Sequence, residues 1–568
     1  MKKRVRIMAL LLVLCIAAFQ APALAAAWDG CASFGFAGGK GTEQSPYVIE
    51  TARQLAFFAA NVNGGDTMAG KHVALSADIQ LNDVSSFTRW DKTAPANAWT
   101  PIGTLTCPFS GTFDGCGHSI TGLYIKTSEP YQGLFGCVSG GSVKNVNVNK
   151  AYISGGSYVG GIAGRLYADK STGGSASVAG CRCSGSVSGG GYVGGIAGHC
   201  YAYLSGSTVT VSGCCNTANV TGTSYNVGGI AGRNMANPVS ADSSAFAYIT
   251  DCCNTGKVTG TDYVGGIAGQ SSASAFSTAS AVNCLSTGAV SGGTHTGGIV
   301  GQSCASDSGV SLVKNAYYLA DSASVGAVKA SGGGTETEES VIPVTSEQLR
   351  SEGAFEGFDF KGVWQTDKSE GCPVPIFAAV RKTSAAVWEN PFKDVSEKAY
   401  FYNAVRLAYT GGLMNGTGSS SFSPELPVTR AMAVTVLWRL SGCPSASGKA
   451  FSDVQIGAYY ETAVSWAAKS AIVSGYGDGT FRPDADVTRQ ELAAMLCNYC
   501  KSAGFDLPAP ADISKYSDAD DVSPWAAEAM SMCVGAGIIT GTSKDSLSPI
   551  IGVSRADAAV MVSRLPNK

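Results

Sequence analysis

Three arginines stand in one repeated setting: Thr429-Arg430, Thr488-Arg489 and Ser554-Arg555. Each pair follows, 35 to 37 residues on, an aromatic-x-aspartate triplet: Phe392-Lys393-Asp394, Phe451-Ser452-Asp453 and Tyr516-Ser517-Asp518. A hydroxyl residue ahead of a helical pattern is an N-cap, so each arginine falls on the first helical position. A cation there opposes the helix dipole, at a cost of roughly a few tenths of a kcal/mol. Three such placements in register imply another task for the guanidinium. Free helix-start amides beside an arginine make an anion site; the other task open to it is tying down a neighbouring loop.

Other chemistry is thinner. Asp78, Asp83, Asp114, Asp242, Asp251 and Asp262 are candidate acids, but they neither repeat nor cluster. Asp114 sits in a Phe-Asp-Gly turn, where capping its own backbone accounts for it. Asp251 aligns with Gly180 and Gly213 in neighbouring repeats. His199-Cys200 with Cys181-x-Cys183 is a poor match to zinc-ligand spacing, and no metal or cofactor is expected. Cys497 and Cys500 have redox spacing but end a helix, so core packing is expected. Tyr152, Tyr158, Tyr192, Tyr201, Tyr203, Tyr225, Tyr248 and Tyr263 concentrate in one stretch. Tyrosines in register suit either a sugar-stacking track or rim packing.

The elements that position these groups differ along the chain. In the last third, Ala463–Ala471 reads as a helix, Ile472–Pro483 reverses the chain, and Thr488-x-x-Glu491 is a capping box opening another helix. Ser554 and Asp557 echo that box, while Met432 replaces the acid after Thr429. Upstream, a phrase returns at Gly133-Leu134-Phe135-Gly136, Gly161-Ile162-Ala163-Gly164, Gly195-Ile196-Ala197-Gly198, Gly229-Ile230-Ala231-Gly232, Gly266-Ile267-Ala268-Gly269 and Gly298-Ile299-Val300-Gly301, in steps of 28, 34, 34, 37 and 32 residues. Such a period signals a stacked array. Valine, threonine and glycine disfavour helical repeats, so short strands and tight turns are expected.

The chain has 568 residues, enough for two or more domains, with 73 glycines and only 14% charged residues. The basic start, the apolar run Ile7–Phe19 and Ala23-Leu24-Ala25 have the order of a secretory signal spanning 1–25. Its removal takes the formal charge from −3 to −7, with 35 basic against 42 acidic residues. Neither nucleic acid nor, after cleavage, a membrane is expected as partner. The cysteines follow the repeats as Cys181, Cys214-Cys215, Cys252-Cys253 and Cys284. A buried thiol ladder fits that spacing, with some disulfides or metal binding as alternatives.

Two resemblances follow from these motifs. Residues 391–568 resemble a trio of S-layer homology repeats, at 391–443, 450–505 and 515–566. That resemblance implies an all-α wall anchor at the cell surface of a bacterium. Its grooves would bind pyruvylated secondary cell-wall polymer through Arg430, Arg489 and Arg555. Asp394, Asp453 and Asp518 would border the grooves or hold the arginines, and Trp466 and Trp525 would stack on sugar. Met432 makes the Arg430 groove the least regular, and Leu407 replaces the tryptophan of the second repeat.

Residues 28–378 resemble GLUG-motif surface proteins, with Pro46-Tyr47-Val48-Ile49, Gln54-Leu55, Asp78-Ile79, Trp99-Thr100-Pro101-Ile102-Gly103 and Phe109–Gly115 as the block that precedes such repeats. That implies a mainly β, right-handed parallel β-helix or solenoid with N- and C-terminal caps, joined by a linker at 379–390. Some GLUG proteins are metallopeptidases that cleave immunoglobulin A. Their site needs two histidines one helical turn apart with a glutamate between, and His72, His118, His199 and His295 do not supply it. Parallel β-helices also host polysaccharide lyases and hydrolases. The expectation is therefore a non-enzymatic, adhesin-like stalk for a host or environmental glycan or protein. A wall-anchored polysaccharide-active enzyme and a purely structural envelope component are the alternatives.

Overall fold

The computed structural model describes residues 28–168, 174–238, 244–323, 325–332, 334–367, 371–377, 390–446, 448, 451–505 and 507–565. The expected signal (1–25), Asp242 and all but residue 390 of the expected linker lie outside them.

The N-terminal region is mainly β, built from parallel sheets. One sheet stacks seven strands: Phe135–Ser139, Ala163–Ala168, Ala197–Ala202, Ala231–Ala236, Ala268–Ala273, Val300–Ser306 and Ala327–Gly332. Register pairs Phe135 with Ala163, then Ala197, Ala231, Ala268 and Val300. These steps are the repeat period, so each repeat adds one strand to a β-helix-like stack. A five-stranded and a twenty-stranded sheet complete the walls. Ile162, Ile196, Ile230, Ile267 and Ile299 fill the interior and are fully buried. Two positions before each isoleucine, glycine is required for space: a Cβ on Gly194 would clash with the Ala197 carbonyl oxygen.

One corner of the stack accounts for Asp251. Asn145, Gly180, Gly213, Asp251, Asn283 and Asn315 occupy equivalent positions with φ between 47° and 60°. Glycine, asparagine and aspartate tolerate that left-handed conformation best. The residues also link laterally, Asn283 donating to Asp251 and Asn315 to Asn283, each at 3.2 Å. Immediately after the corner, Cys181, Cys214, Cys252 and Cys284 point inward, fully buried. Their thiols donate to the carbonyls of Ala179, Ser212, Thr250 and Val282 at 3.2–3.3 Å. The adjacent Cys215 and Cys253 are joined by a disulfide between neighbouring strands. Packing thiols and a disulfide therefore coexist.

Helix α1 (Ala52–Asn63) covers the N-terminal end of the stack. Thr51 and Gln54 form its capping box, and Leu55, Phe58, Ala59 and Val62 face inward. Phe58 packs against Phe109, Phe113 and Phe135 with ring centroids 5.6–6.4 Å apart. Along the flank of the stack an antiparallel hairpin, Trp364–Asp367 with Cys372–Pro375, buries Trp364 beside Phe358, and Trp364 Nε1 donates to Asp251 at 3.4 Å.

The C-terminal region is helical: α2 (Tyr402–Thr410), α3 (Arg430–Leu440), α4 (Glu461–Lys469), α5 (Arg489–Ala503), α6 (Ala527–Gly535) and α7 (Arg555–Ser563). The helix expected at Ala463–Ala471 is α4, with Val464 and Ala467 buried. The three repeats close on one another through the valine preceding each hydroxyl-arginine pair. Val428 donates to the Val553 carbonyl, Val553 to Val487, and Val487 back to Val428, each at 2.9 Å.

Candidate functional site

Around that valine ring the arginines start α3, α5 and α7. Thr429, Thr488 and Ser554 cap the helices by accepting from the amides of Met432, Glu491 and Asp557. The capping box is complete only at α5. The first amides of each helix are not free, as an anion site would need. Arg430 and Ala431 donate to Ala485 and Pro483, Arg489 and Gln490 to Ile551 and Pro549, and Arg555 and Ala556 to Leu426 and Pro424. Each helix start is thus tied to a loop of another repeat.

The guanidinium groups do the same. Arg430, Arg489 and Arg555 are 6%, 5% and 7% exposed. Their Nε atoms donate to the carbonyls of Phe481, Leu547 and Phe422 at 2.8–2.9 Å. A second nitrogen reaches Ser474, Thr540 and Asn415 in turn. Of the two tasks open to these arginines, loop-tying is the one the geometry displays.

The motif aspartates hold the same loops from the other side. Asp394 accepts from the Phe422 and Ser423 amides and the Ser421 hydroxyl. Asp453 takes the amides of Phe481 and Arg482, and Asp518 those of Leu547 and Ser548. They support the arginines through the loop and do not ion-pair with them. Burial by itself raises each carboxyl, but these hydrogen bonds together outweigh it and leave all three below the ordinary aspartate value.

What differs is the third side of each arginine. Arg430 Nη1 meets Glu491 at 3.2 Å, and Tyr476 also donates to that carboxylate. Arg489 lies in a cleft with Asp557 and Tyr400, whose hydroxyl donates to Asp557 at 2.8 Å. Burial and then the Asp557 carboxylate push the Tyr400 phenol up to about 12. Arg555 lines a cleft with Met432 and Tyr459, and among the described residues no carboxylate pairs with it. Met432, which follows Arg430 in sequence, therefore belongs in space to the Arg555 cleft.

The C-terminal third is similar to the family described as S-layer homology domain, at residues 391–433, 450–493 and 515–559, in agreement with this threefold geometry. The chain carries three S-layer homology domains. A 125 kDa surface-layer protein of Lysinibacillus sphaericus is 28% identical over 33% of this chain and 16% of its own length. An endoglucanase of Bacillus sp. (strain KSM-635) is 27% identical over 31% of this chain and 18% of its own. The chain thus spans less than a fifth of either relative. A solved structure from Bacteroides ovatus, described as a candidate immunoglobulin A1 protease, is 21% identical over 59% of this chain and 94% of that one, with a TM-score of 0.40. Those values bear on neither fold nor activity. The S-layer homology domains and the surface-layer relatives place the protein at the cell surface, in the wall.

The S-layer homology domains also present three equivalent exposed aromatics, two of which sequence reasoning passed over. Tyr400, Tyr459 and Trp525 precede α2, α4 and α6 at equivalent places and are 73%, 62% and 61% exposed. Trp525 was expected; its counterparts are the two tyrosines, and the readable signal was an aromatic six or seven residues past each motif aspartate. Trp466 instead packs partly buried against the helical core.

In the β region the expected tyrosines divide. Tyr158 and Tyr192 stack with Tyr131, Tyr201 joins them through His199, and Tyr203 packs on Tyr201. Tyr152 stacks on Tyr124 and Tyr248 on Phe246. Tyr225 meets Tyr192 edge-on, and Tyr263 stacks on His295. The candidate acids have separate partners: Asp78 with His118, Asp83 with Ser85, Asp114 with Lys144, Asp251 with Asn283 and Asp262 with His295. His199 lies on the opposite face of its strand from Cys200, buried among Tyr158, Tyr192 and Tyr201, while Cys200 is buried within the stack, so the two do not converge.

Proposed function

We propose that this is a wall-anchored surface protein whose S-layer homology trio binds secondary cell-wall polymer noncovalently and whose β region is a GLUG-type, right-handed β-solenoid serving as an adhesin-like binding stalk. The observation that carries the anchor is the cleft in which Arg555 lies beside exposed Tyr459 and, among the described residues, has no carboxylate paired with it. A buried guanidinium there can meet a pyruvate-ketal carboxylate while the tyrosine supports a sugar ring. Arg489 with Tyr400 offers a second cleft, partly countered by Asp557. Arg430 is already engaged by Glu491, so its groove contributes least, with Trp525 as its expected aromatic.

The test is binding of the chain to purified wall polymer, with and without its pyruvate ketals. Tyr459→Ala and Tyr400→Ala are the informative variants, because neither residue is buried. Loss of ketal-dependent binding in Tyr459→Ala supports the assignment. Unchanged binding in both variants sinks it. The stalk reading is supported by the in-register outward tyrosines. The enzyme alternative gains no support from acids that are each engaged by a different partner.

A further inference from the structure

Resting on the stalk reading, we propose that the sheet face carrying Arg165, His199 and Arg233 is a binding site for an anionic glycan, a sugar polymer bearing carboxylate, sulfate or phosphate groups. The three residues are direct register partners on successive strands. Strands in a sheet lie about 4.8 Å apart, which puts the backbone positions of the two arginines about 10 Å apart along the stack. Cys137 precedes the row, and Gln270 and Gln302 extend it.

Aromatic rings flank the row on both sides. Tyr131, Tyr158 and Tyr192 stack continuously, with centroids 5.0 and 4.8 Å apart. Across the row, the Arg165 guanidinium lies 4.7 Å from the Tyr167 ring centre and 5.8 Å from that of Tyr201. His199 touches Tyr158, Tyr192 and Tyr201, with centroids 5.2–5.7 Å away. Arg165, Arg233 and these tyrosines are only half-buried and open to solvent.

Two independent observations point to a ligand. Among the described residues no carboxylate pairs with Arg165, His199 or Arg233, although Lys144 and Lys314 elsewhere on the stack have acidic partners. Second, polar atoms without partners converge here: Arg165 Nε, both ring nitrogens of His199, Arg233 Nε, and Oδ1 of Asn226. Asn226 stands in the row of Tyr158 and Tyr192, one strand further on. His199 is 7% exposed, and buried groups left unpaired in this way are uncommon. Burial, then Arg233 and Arg165, hold its imidazole well below its ordinary pKa, so the neutral ring adds hydrogen-bonding capacity without repelling the cations.

Guanidinium forks match carboxylate, sulfate and phosphate oxygens two at a time, and tyrosine faces accept sugar rings. Cations spaced along a straight row suit a polymer with regularly repeated charge. An acidic peptide shares only the charge.

The test uses the full chain against polygalacturonate, dextran sulfate and dextran phosphate, each beside its neutral counterpart (carboxyl-reduced polygalacturonate or unmodified dextran), and against polyglutamate. We expect saturable binding to at least one anionic glycan, about tenfold or more weaker in the R165Q/R233Q double variant, with Lys257→Gln unchanged. The S-layer homology clefts are identical in all variants, so the difference reports the β face. Which anionic polymer binds tells carboxylate, sulfate and phosphate sources apart. Should R165Q/R233Q fail to fold, R165K/R233K decides, since lysine keeps the charge but not the fork; wild-type affinity in that variant overturns the site. Equal binding of neutral counterparts, or polyglutamate bound as tightly, overturns the anionic-glycan assignment and leaves the stalk reading standing. A blank result with every polymer overturns the assignment, and the stalk reading falls only if protein ligands are blank too.

Discussion

Arg430, Arg489 and Arg555 share a motif yet face three different neighbours, because each looks across to another repeat: Glu491, Asp557 and Met432. Met432→Glu should therefore act on Arg555. The new carboxylate can complete the capping box with Thr429 and reach the guanidinium, stabilising the trio by about 0.5–1 kcal/mol. It should also weaken wall-polymer binding severalfold, and thermal melts with binding isotherms on the same variant check both. The three motif aspartates give a pH prediction. Their folded-state carboxyls lie below the ordinary value of 3.8, so their contribution is full above about pH 4 and is lost as pH falls through the depressed values. The helical signal should show a denaturant midpoint that drops in that acid window. An Asp394, Asp453 and Asp518 to Asn triple variant should start lower at neutral pH and change less on acidification. The arginine and aspartate positions were legible from the sequence because they repeat. Their partners were not, since contacts between repeats depend on a cyclic closure that no local pattern encodes.

At the scale of elements, the repeat period read from Gly133 to Gly301 is the strand register itself, since stacking equivalent residues turns sequence spacing into hydrogen-bond partners. The corner aspartate Asp251 was legible as a turn residue through its alignment with Gly180 and Gly213. Helix α1 was missed although Thr51-x-x-Gln54 announces it, because the capping box sits among residues otherwise patterned as strands. The glycines are tight where coils meet, so Gly194→Ala should cost about 1–3 kcal/mol through overpacking. Gly353, where an added Cβ meets only the Ser351 hydroxyl at 3.9 Å, is the matched control. Comparable losses at both positions by chemical denaturation would contradict the packing argument.

For the whole molecule, the two regions also touch. Arg406 on α2 pairs with Glu50 beside α1 at 3.1 Å, and the Gly411 backbone lies against Phe34. Attachment to the wall should be salt-sensitive if it rests on guanidinium and carboxylate. Raising ionic strength to about 1 M shortens the screening length to about 3 Å. Pull-down on purified wall polymer should then fall, least where the charges are most enclosed. Salt-independent retention would argue for sugar stacking as the main force.

The valine ring has a further implication for truncated chains. Three members that each donate to the next form a cycle without a first or last position, and nothing in its chemistry requires that all three come from one polypeptide. Cutting away residues 515–568 leaves the Val428 amide and the Val487 carbonyl without partners and strips Arg489 of both carbonyls that anchor it. Such a fragment can regain closure by borrowing a repeat from a second molecule, so it should elute as exchanged oligomers in size-exclusion chromatography where the intact chain is self-contained.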